Sequence, residues 1–236
     1  MRVIALDTTT RAGSVALVED DRVIDERAGD ASRTHAERLP AEIIALADAH
    51  HVALSDVDLY AVASGPGSFT GLRIGIATMQ GLAFVHRRRI VGIPALEALA
   101  HATSGDLPPG TLIAAWMDAH RRDVFAAAYR VAAAAPFGAG RLREVDGPTV
   151  GDPASTLARW IDEFAMTPSV FVGDGASLYE TEIRHAIVEA RVVAHPLLAG
   201  TIGRLATARA SDALDPADVR PLYVRKPDAV IARDKK

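Results

Sequence analysis

The sequence predicts an α/β protein in which helices flank mixed β-sheets. Three observations support this fold class. Apolar runs of strand length alternate with segments of helical periodicity along the chain. Each half opens with two strand-like runs joined by a polar turn. The stretch 104–110 is dense in glycine and proline and separates the halves, so we expect two related half-domains.

The first half-domain is placed at residues 1–104. The polar residues 19–21 suit the turn of its opening hairpin. Apolar residues recur at helical spacing after residue 34 and again from residue 70. The predicted strands are 2–7, 13–18, 22–27, 59–63 and 90–93; the predicted helices begin near 35, cover 70–86 and end near 102.

The second half-domain is placed at residues 105–214, and an irregular, proline-bearing tail at 215–236. Helix 198–210 is a candidate for packing back on the first half. A hairpin again comes first, and a loop over 132–140 follows it. The predicted strands are 112–118, 124–131, 169–173 and 191–194, and the predicted helices are 153–165, 176–187 and 198–209.

Composition and charge exclude several classes of protein. The chain has 236 residues, 49% of them hydrophobic and 24% charged, as expected of a globular protein. It has no cysteine, which excludes a disulfide framework, a thiolate nucleophile and a cysteine-ligated metal. The formal net charge of −4 does not suit a stand-alone nucleic-acid binder. No apolar run is long enough to span a bilayer, so we expect a cytoplasmic protein without a membrane partner.

A first candidate for nucleotide contact follows the first predicted strand. A carboxylate at Asp7 could hold a hydrated Mg²⁺, while the hydroxyls and amides of Thr8 and Thr9 could meet a phosphate. The alternative is that the threonines satisfy backbone groups at a turn. The motif is too short to decide between the two interpretations.

A second candidate lies between a strand and a helix of the second half. Gly173, Asp174 and Gly175 would let the backbone approach an adenosine or a phosphate. The same residues also suit a tight turn in which Asp174 caps the helix.

The segment from Gly65 to Gly71 joins a strand to a helix, as phosphate-binding loops do. It is not a P-loop, because Leu72 and Arg73 stand where that motif requires Lys and Ser or Thr. The alternative is a tight turn with Ser68 or Thr70 as the helix cap.

The helix after this loop is predicted to take part in a protein interface. It carries glycine at positions 71, 75 and 81, and each glycine costs a helix about 1 kcal/mol relative to alanine. Close approach of another helix, inside the fold or across an interface, would compensate for this cost. The residues predicted to contact a partner are His35, Leu39, Arg73, Ile74, Ala77, Thr78 and Gly81.

The sequence predicts neither a catalytic residue nor a metal site. A helical zinc site would place a second ligand four residues after His35, and Leu39 stands there. None of the eight histidines forms an interpretable motif with a serine nucleophile. A metallopeptidase activity therefore has no support.

Taken together, the segments resemble the TsaB family, also called YeaZ, of the ASKHA (actin-like ATPase) superfamily. The stretch around GPGSFTGLRIG is long and specific. The resemblance covers residues 4–228 and rests on IALDTTT with GSVAL, THAERL, ASGPGSFTGLRIGIATMQGLAF, GIPALEALA, MDAHRRDVFAAAY, FVGDGA and RPLYVRKPD.

The resemblance implies two ASKHA-type half-domains, the second of them reduced. It also implies a non-catalytic scaffold in the bacterial complex that attaches threonylcarbamoyl to adenosine next to the anticodon, in tRNAs reading codons that start with A. The implied partners are a TsaD-type threonylcarbamoyltransferase, a TsaE-type ATPase and, for the chain alone, a second copy. The chain would meet tRNA only through the complex and would have no cofactor of its own, with ATP or ADP bound at the complex.

An ATP-dependent small-molecule kinase of the same superfold is the alternative. Such an enzyme needs a catalytic carboxylate, a complete phosphate cradle and a substrate pocket. No segment resembles a kinase signature, and the chain is short for that class. Nucleotide turnover by the purified chain would separate the two functions.

Overall fold

A computed structural model describes residues 1–138 and 140–225 of the protein. The first half is a five-stranded sheet flanked by helices. Its strands are β1 (Arg2–Asp7), β2 (Ser14–Glu19), β3 (Arg22–Ala28), β4 (Leu59–Gly65) and β5 (Arg89–Pro94). Its helices are α1 (His35–Ala49), α2 (Phe69–Val85) and α3 (Ala95–Thr103). Each predicted strand and helix of this half forms, with ends that move by one or two residues.

The second half is a five-stranded sheet with shorter helices. Its strands are β6 (Leu112–Asp118), β7 (Val124–Val131), β8 (Leu142–Gly151), β9 (Val170–Val172) and β10 (Arg191–Val193). Its helices are α4 (Pro153–Ala158), α5 (Asp174–Leu178), α6 (Glu180–Ala186) and α7 (Ala199–Ala208).

The two sheets have the same topology. The first has the order β3-β2-β1-β4-β5 and the second β8-β7-β6-β9-β10. In each, the first three strands of the half pair antiparallel and the last two join in parallel. This duplication confirms the predicted fold class, two mixed sheets flanked by helices.

The apolar core lies in three layers. One layer, between the sheets, combines residues of both halves with α3 and α7. A second lies under α1 and α2 on the outer face of the first sheet. The third lies under α4 to α6 on the outer face of the second sheet. Because the middle layer is shared, the halves are held in a fixed relationship by apolar burial.

Helix α7 packs on the first sheet, although its residues belong to the second half of the sequence. The backbone N–H groups of Leu198 and Ala199 donate to Ser14 Oγ, at 3.2 and 3.0 Å. Gly200 N donates to Glu26 Oε1 at 2.8 Å. The first turn of α7, whose N–H groups have no partner within the helix, is thus satisfied by β2 and β3.

The second half departs from the prediction in three places. Strand β8 was not predicted, and it contains Gly147 and Pro148, which are rare inside strands. The predicted helix 153–165 becomes α4 followed by a π-helical turn, Arg159–Glu163. The predicted helix 176–187 is divided into α5 and α6 at Tyr179, whose φ of −111° and ψ of 29° are not helical.

The described part of the tail contains one 3₁₀ turn, Pro216–Asp218, and is otherwise irregular, in agreement with the prediction. Residues 226–236 of the predicted tail lie outside the described residues.

Candidate functional site

A cleft of about 1170 Å³ lies between the two half-domains. Its walls are the loop after β1, the segment before α1, the start of α2, the β6–β7 turn, the first residue of α5 and the tail. The lining includes two carboxylates, Asp118 and Asp174, and five arginines: Arg11, Arg33, Arg73, Arg121 and Arg225. The cleft is therefore locally basic although the whole chain has a net charge of −4.

Asp7 closes the turn after β1 from inside the protein. Its side chain is 2% exposed, and its Oδ1 accepts hydrogen bonds from Thr9 N at 2.9 Å and Thr9 Oγ1 at 2.7 Å. Burial raises the pKa of the Asp7 carboxyl, against the opposing effect of these two bonds. The carboxyl thus serves the turn, as in the structural alternative stated for this motif.

Thr8 is covered by the glycine-rich loop and by α2. It is fully buried, and a β-carbon at Gly71 or Gly75 would lie 2.2 Å from Thr8 O or Thr8 Oγ1 respectively. Asp7 and Thr8 do not line the cleft, whereas Thr9 does. The glycines let α2 close over the end of β1. The nucleotide contact expected at Asp7 and Thr8 stays a prediction.

The second glycine motif packs in a similar way against β6. Gly173 has a φ of 121°, and a β-carbon there would lie 2.0 Å from Trp116 O. A β-carbon at Gly175 would lie 2.7 Å from Met117 C. Both glycines are buried and do not line the cleft, and their expected contact with a nucleotide stays a prediction. Close backbone packing explains them.

Asp174 does line the cleft, but its carboxylate is already engaged. Its Oδ1 accepts from Asp118 N at 3.0 Å and from Gly175 N at 2.9 Å. These bonds join the start of α5 to the end of β6. The alternative stated for Asp174, that it caps the helix, is wrong, because Gly173 is the N-cap residue and Asp174 is the first residue of α5.

The end of β1 does not offer an accessible carboxylate for the Mg²⁺ of a nucleoside triphosphate. The carboxylate that would hold Mg²⁺, Asp7, is buried. Residues 1–225 contain no lysine. The loop Gly65–Ser68 lies on the end of β1, where Ser68 N donates to Thr9 O at 2.8 Å instead of facing an anion.

The tail crosses the cleft and connects the two halves. Leu222 N donates to Ser64 O at 2.7 Å at the end of β4. Arg73 Nε donates to the Tyr223 hydroxyl at 2.9 Å. On the other side, Arg225 donates to Ala119 O at 2.7 Å and forms an ion pair with Asp123 in the β6–β7 turn.

His35 faces the cleft and not an outer surface. It is 9% exposed, its Nε2 lies 3.1 Å from Thr10 O, and Arg38 Nη2 donates to its Nδ1 at 2.8 Å. The Nδ1 must then be an acceptor, so the ring is neutral with its proton on Nε2. Burial, and next the Arg38 charge, lower the pKa of His35, consistent with this tautomer.

Leu39 is buried in the core under α1, with 1% of its surface exposed. The start of α1 is turned toward the first sheet and the cleft, and the expected contact of His35 and Leu39 with a partner protein stays a prediction.

The outer side of α2 remains a candidate protein interface. Arg73, Ala77 and Gly81 are exposed, and Ile74 and Thr78 are half-buried. Large apolar side chains continue this side: Phe84 is 76% exposed, Val85 71% and, on α1, Ile44 48%. We call Ile44, Ala77, Gly81, Phe84 and Val85 the α1–α2 surface.

Comparison with known proteins identifies the family. A family model described as "TsaD: tRNA N6-adenosine threonylcarbamoyltransferase" matches residues 28–232. The Bacillus subtilis tRNA threonylcarbamoyladenosine biosynthesis protein TsaB is 30% identical over 189 residues, which are 79% of this chain and 77% of that protein. The chain belongs to the TsaB (YeaZ) family.

Solved structures agree with the TsaB assignment. YeaZ from Pseudomonas aeruginosa has a TM-score of 0.72 at 29% identity, covering 94% of this chain and 99% of that one. The inorganic polyphosphate/ATP-glucomannokinase from Arthrobacter sp. strain KM has a TM-score of 0.50 at 13% identity, covering 89% and 99%. The second likeness concerns the fold alone.

Neither a metal-binding cluster nor a membrane-spanning helix is present among residues 1–138 and 140–225 of this TsaB-family chain. No cluster of three or more His, Asp or Glu side chains is arranged to hold a metal ion. No helix among them has the length and apolar character needed to cross a membrane.

Sequence reasoning missed two features of this TsaB-family protein. The apolar end of the α1–α2 surface was detectable, since Ala77, Gly81, Phe84 and Val85 follow helical spacing on one side of α2. The basic cleft was not, because its arginines are far apart in sequence and meet only when the halves pack together.

Proposed function

We propose that this chain is the non-catalytic scaffold subunit of a complex that attaches threonylcarbamoyl to adenosine next to the tRNA anticodon, in tRNAs reading codons that start with A. Membership of the TsaB family supports a role in tRNA threonylcarbamoyladenosine biosynthesis. The α1–α2 surface is the observation that carries the scaffold role.

The α1–α2 surface has the character of a protein interface. Phe84 and Val85 expose about three quarters of their side chains, at 76% and 71%, beside the small residues Ala77 and Gly81. Contiguous apolar side chains with little intramolecular contact mark sites of association. Small residues next to them let a partner helix approach closely.

The partner proposed for this surface is a TsaD-type transferase. The family model described for that enzyme matches residues 28–232 of this chain, so the two proteins are expected to share the fold and its two outer helices. Similar surfaces can pair about a two-fold or pseudo-two-fold axis. A second copy of this chain would use the same surface when the transferase is absent, and the two assemblies would compete.

The absence of catalysis is proposed from the closed corner at β1. A kinase needs an accessible carboxylate and phosphate-binding amides. In this chain Asp7 is 2% exposed and Thr8 fully buried beneath α2. We therefore propose that ATP or ADP binds elsewhere in the assembly, which would include a TsaE-type ATPase, and that the assembly is cytoplasmic.

Substitution of the α1–α2 surface tests the proposal. Ala77→Trp and Gly81→Trp add a bulky side chain at exposed positions of α2. We expect both variants to keep their circular dichroism spectrum, elute as monomers and lose capture of the cognate transferase. Ala158→Trp, at an exposed alanine on α4, is the matched control and should change neither the elution of the protein nor its capture of the transferase. Capture of the transferase by folded Ala77→Trp protein would place the interface elsewhere.

A further inference from the structure

Three arginines of the basic cleft hydrogen-bond to uncharged groups, and one of them, Arg33, also lies within electrostatic range of Asp30 and Glu37. Arg11 Nε donates to Ala31 O at 2.7 Å and Arg33 Nη2 to Glu37 O at 3.0 Å, both of them backbone carbonyls. Arg73 bonds to the Tyr223 hydroxyl. Within residues 1–138 and 140–225, none of these three arginines forms an ion pair with a carboxylate.

The carboxylates of the cleft are engaged with other groups. Asp174 accepts two backbone N–H bonds, and Asp118 accepts from His120 N at 2.8 Å and lies 3.0 Å from His120 Nδ1. These hydrogen bonds leave both carboxylate charges in place, but the five arginines that line the cleft outnumber them. A concave site with this balance of charge attracts anions.

Aromatic rings accompany this charge. Phe69 and Tyr223 lie with centroids 5.0 Å apart and remain 40% and 37% exposed. The Arg73 guanidinium lies 3.9 Å from the Phe69 centroid. Aromatic rings and guanidinium planes are the groups on which unpaired nucleic-acid bases stack. A phosphate-binding site alone would not need them.

The opposite wall of the cleft has an unusual backbone. His120, Arg121 and Arg122 have φ values of 57°, 57° and 66°. Three consecutive non-glycine residues in the left-handed region are uncommon. Such conformations concentrate at ligand sites, and here two of the three residues, His120 and Arg121, line the cleft.

We propose that the cleft binds a short single-stranded segment of RNA. Bases stack on the Phe69–Arg73–Tyr223 group, while phosphates pair with Arg11 and Arg33. A duplex is excluded because its bases are already stacked. The choice of RNA over DNA rests on the proposed function, whereas binding of a single strand does not. Under this proposal the chain contacts RNA itself, in addition to the contact expected through the complex, because the net charge averages over a locally basic site.

Fluorescence anisotropy of the purified full chain with a labelled RNA of about eight nucleotides tests the proposal. We expect a dissociation constant on the order of 10 μM at low salt, and weaker binding of a hairpin duplex and of DNA of the same sequence. The double variant Arg11→Gln/Arg33→Gln should bind at least tenfold more weakly. Its salt slope should be smaller by about 1.4, the value for two lost phosphate contacts on a single strand.

Two further variants separate stacking from charge. Phe69→Ala should weaken binding about tenfold and leave the salt slope unchanged. Arg22→Gln removes an exposed arginine at the opposite end of the first sheet, where Arg22 lies opposite Glu19 and Glu19 lies opposite Arg2. This control variant should bind RNA as the wild type does.

Several results would overturn the proposal. Equal affinity of the wild type and the double variant would remove the cleft from binding. Equal affinity for duplex and single strand would indicate contact with the backbone alone. Equal affinity for DNA would defeat the assignment to RNA, and displacement of RNA by polyglutamate would assign the cleft to acidic peptides. The assay contains no transferase, so its failure is distinct from failure of the scaffold role; Ala77→Trp should bind RNA normally.

Discussion

Gly75 lies against Thr8 so closely that a β-carbon at Gly75 would be 2.2 Å from Thr8 Oγ1 and 2.9 Å from Thr8 Cγ2. The contact lets α2 rest on the end of β1 and cover it. The glycines of α2 therefore have two different roles. Gly71 and Gly75 serve packing inside the fold, and Gly81, with no atom within 4 Å of its would-be β-carbon, faces outward.

Gly75→Ala should destabilise the protein by about 1–3 kcal/mol, the usual cost of overpacking a filled core. Both branches of the Thr8 side chain lie near the new methyl group, so rotation of Thr8 cannot relieve the clash. Urea unfolding followed by circular dichroism measures the change. A variant at least as stable as the wild type would show that α2 is not tightly packed on Thr8.

Gly81→Ala should raise the free energy of unfolding, the opposite of the effect expected for Gly75→Ala. The position is exposed and within α2, so alanine gains helix propensity without a steric cost, and stability should rise by about 1 kcal/mol. The same unfolding assay gives a matched comparison with Gly75→Ala. A loss of stability in the monomer would contradict the assignment of Gly81 to an open surface.

Arg141→Met should cost about 2–4 kcal/mol. The buried Arg141 guanidinium joins two loops by hydrogen bonds. It donates to five backbone carbonyls, those of Ser104, Gly105, Leu107, Ala132 and Ala134. Its removal leaves these acceptors without their partner. Arg141→Lys should recover only part of the loss, since an ammonium group lacks the planar fork of a guanidinium. Full recovery by lysine would show that charge alone is needed.

His101 should make the protein less stable in mild acid. It is 3% exposed, and burial lowers its pKa to about 4. As pH falls below about 6.5 the unfolded chain binds a proton that the folded chain does not, so the free energy of unfolding decreases until about pH 4. The loss between pH 7 and pH 5 should be about 2 kcal/mol for this group.

The variant His101→Leu cannot titrate at this position and should lose that part of the acid sensitivity. Unfolding at pH 7 and pH 5 gives the difference between wild type and variant at each pH. An identical difference at both would show that His101 is protonated equally in the two states.

The fold was predictable because local signals agreed with the tertiary structure. The hairpin Leu112–Asp118 and Val124–Val131 has the predicted bounds, since its strands are apolar and its turn is polar. Strand β8 was not predicted because it is an edge strand that contains Gly147 and Pro148, and its residues are half-buried or exposed. Its place was nonetheless implied by the repeat, because β8 occupies in the second sheet the position of β3 in the first.

The candidate site was less predictable than the fold. Sequence reasoning selected glycines as sites of ligand or partner approach, and at Gly71, Gly75, Gly173 and Gly175 the approaching group is the protein's own backbone or side chain. A glycine indicates close approach but does not say of what. The apolar surface of α2 could have been predicted from helical periodicity. The arginine cleft could not, because it depends on how the two halves pack.

The central claim is that this chain is required for tRNA modification without taking part in the chemistry. Its most direct test is formation of threonylcarbamoyladenosine on tRNA by the cognate TsaD-type transferase and TsaE-type ATPase, supplied with ATP and a threonylcarbamoyl donor. We expect product only when this chain is added, no product with Ala77→Trp, and at least half of the wild-type rate with Asp174→Asn, whose side chain lines the cleft. Product formed at the same rate without the chain, or its loss in a folded Asp174→Asn protein that still captures the transferase, would contradict the claim.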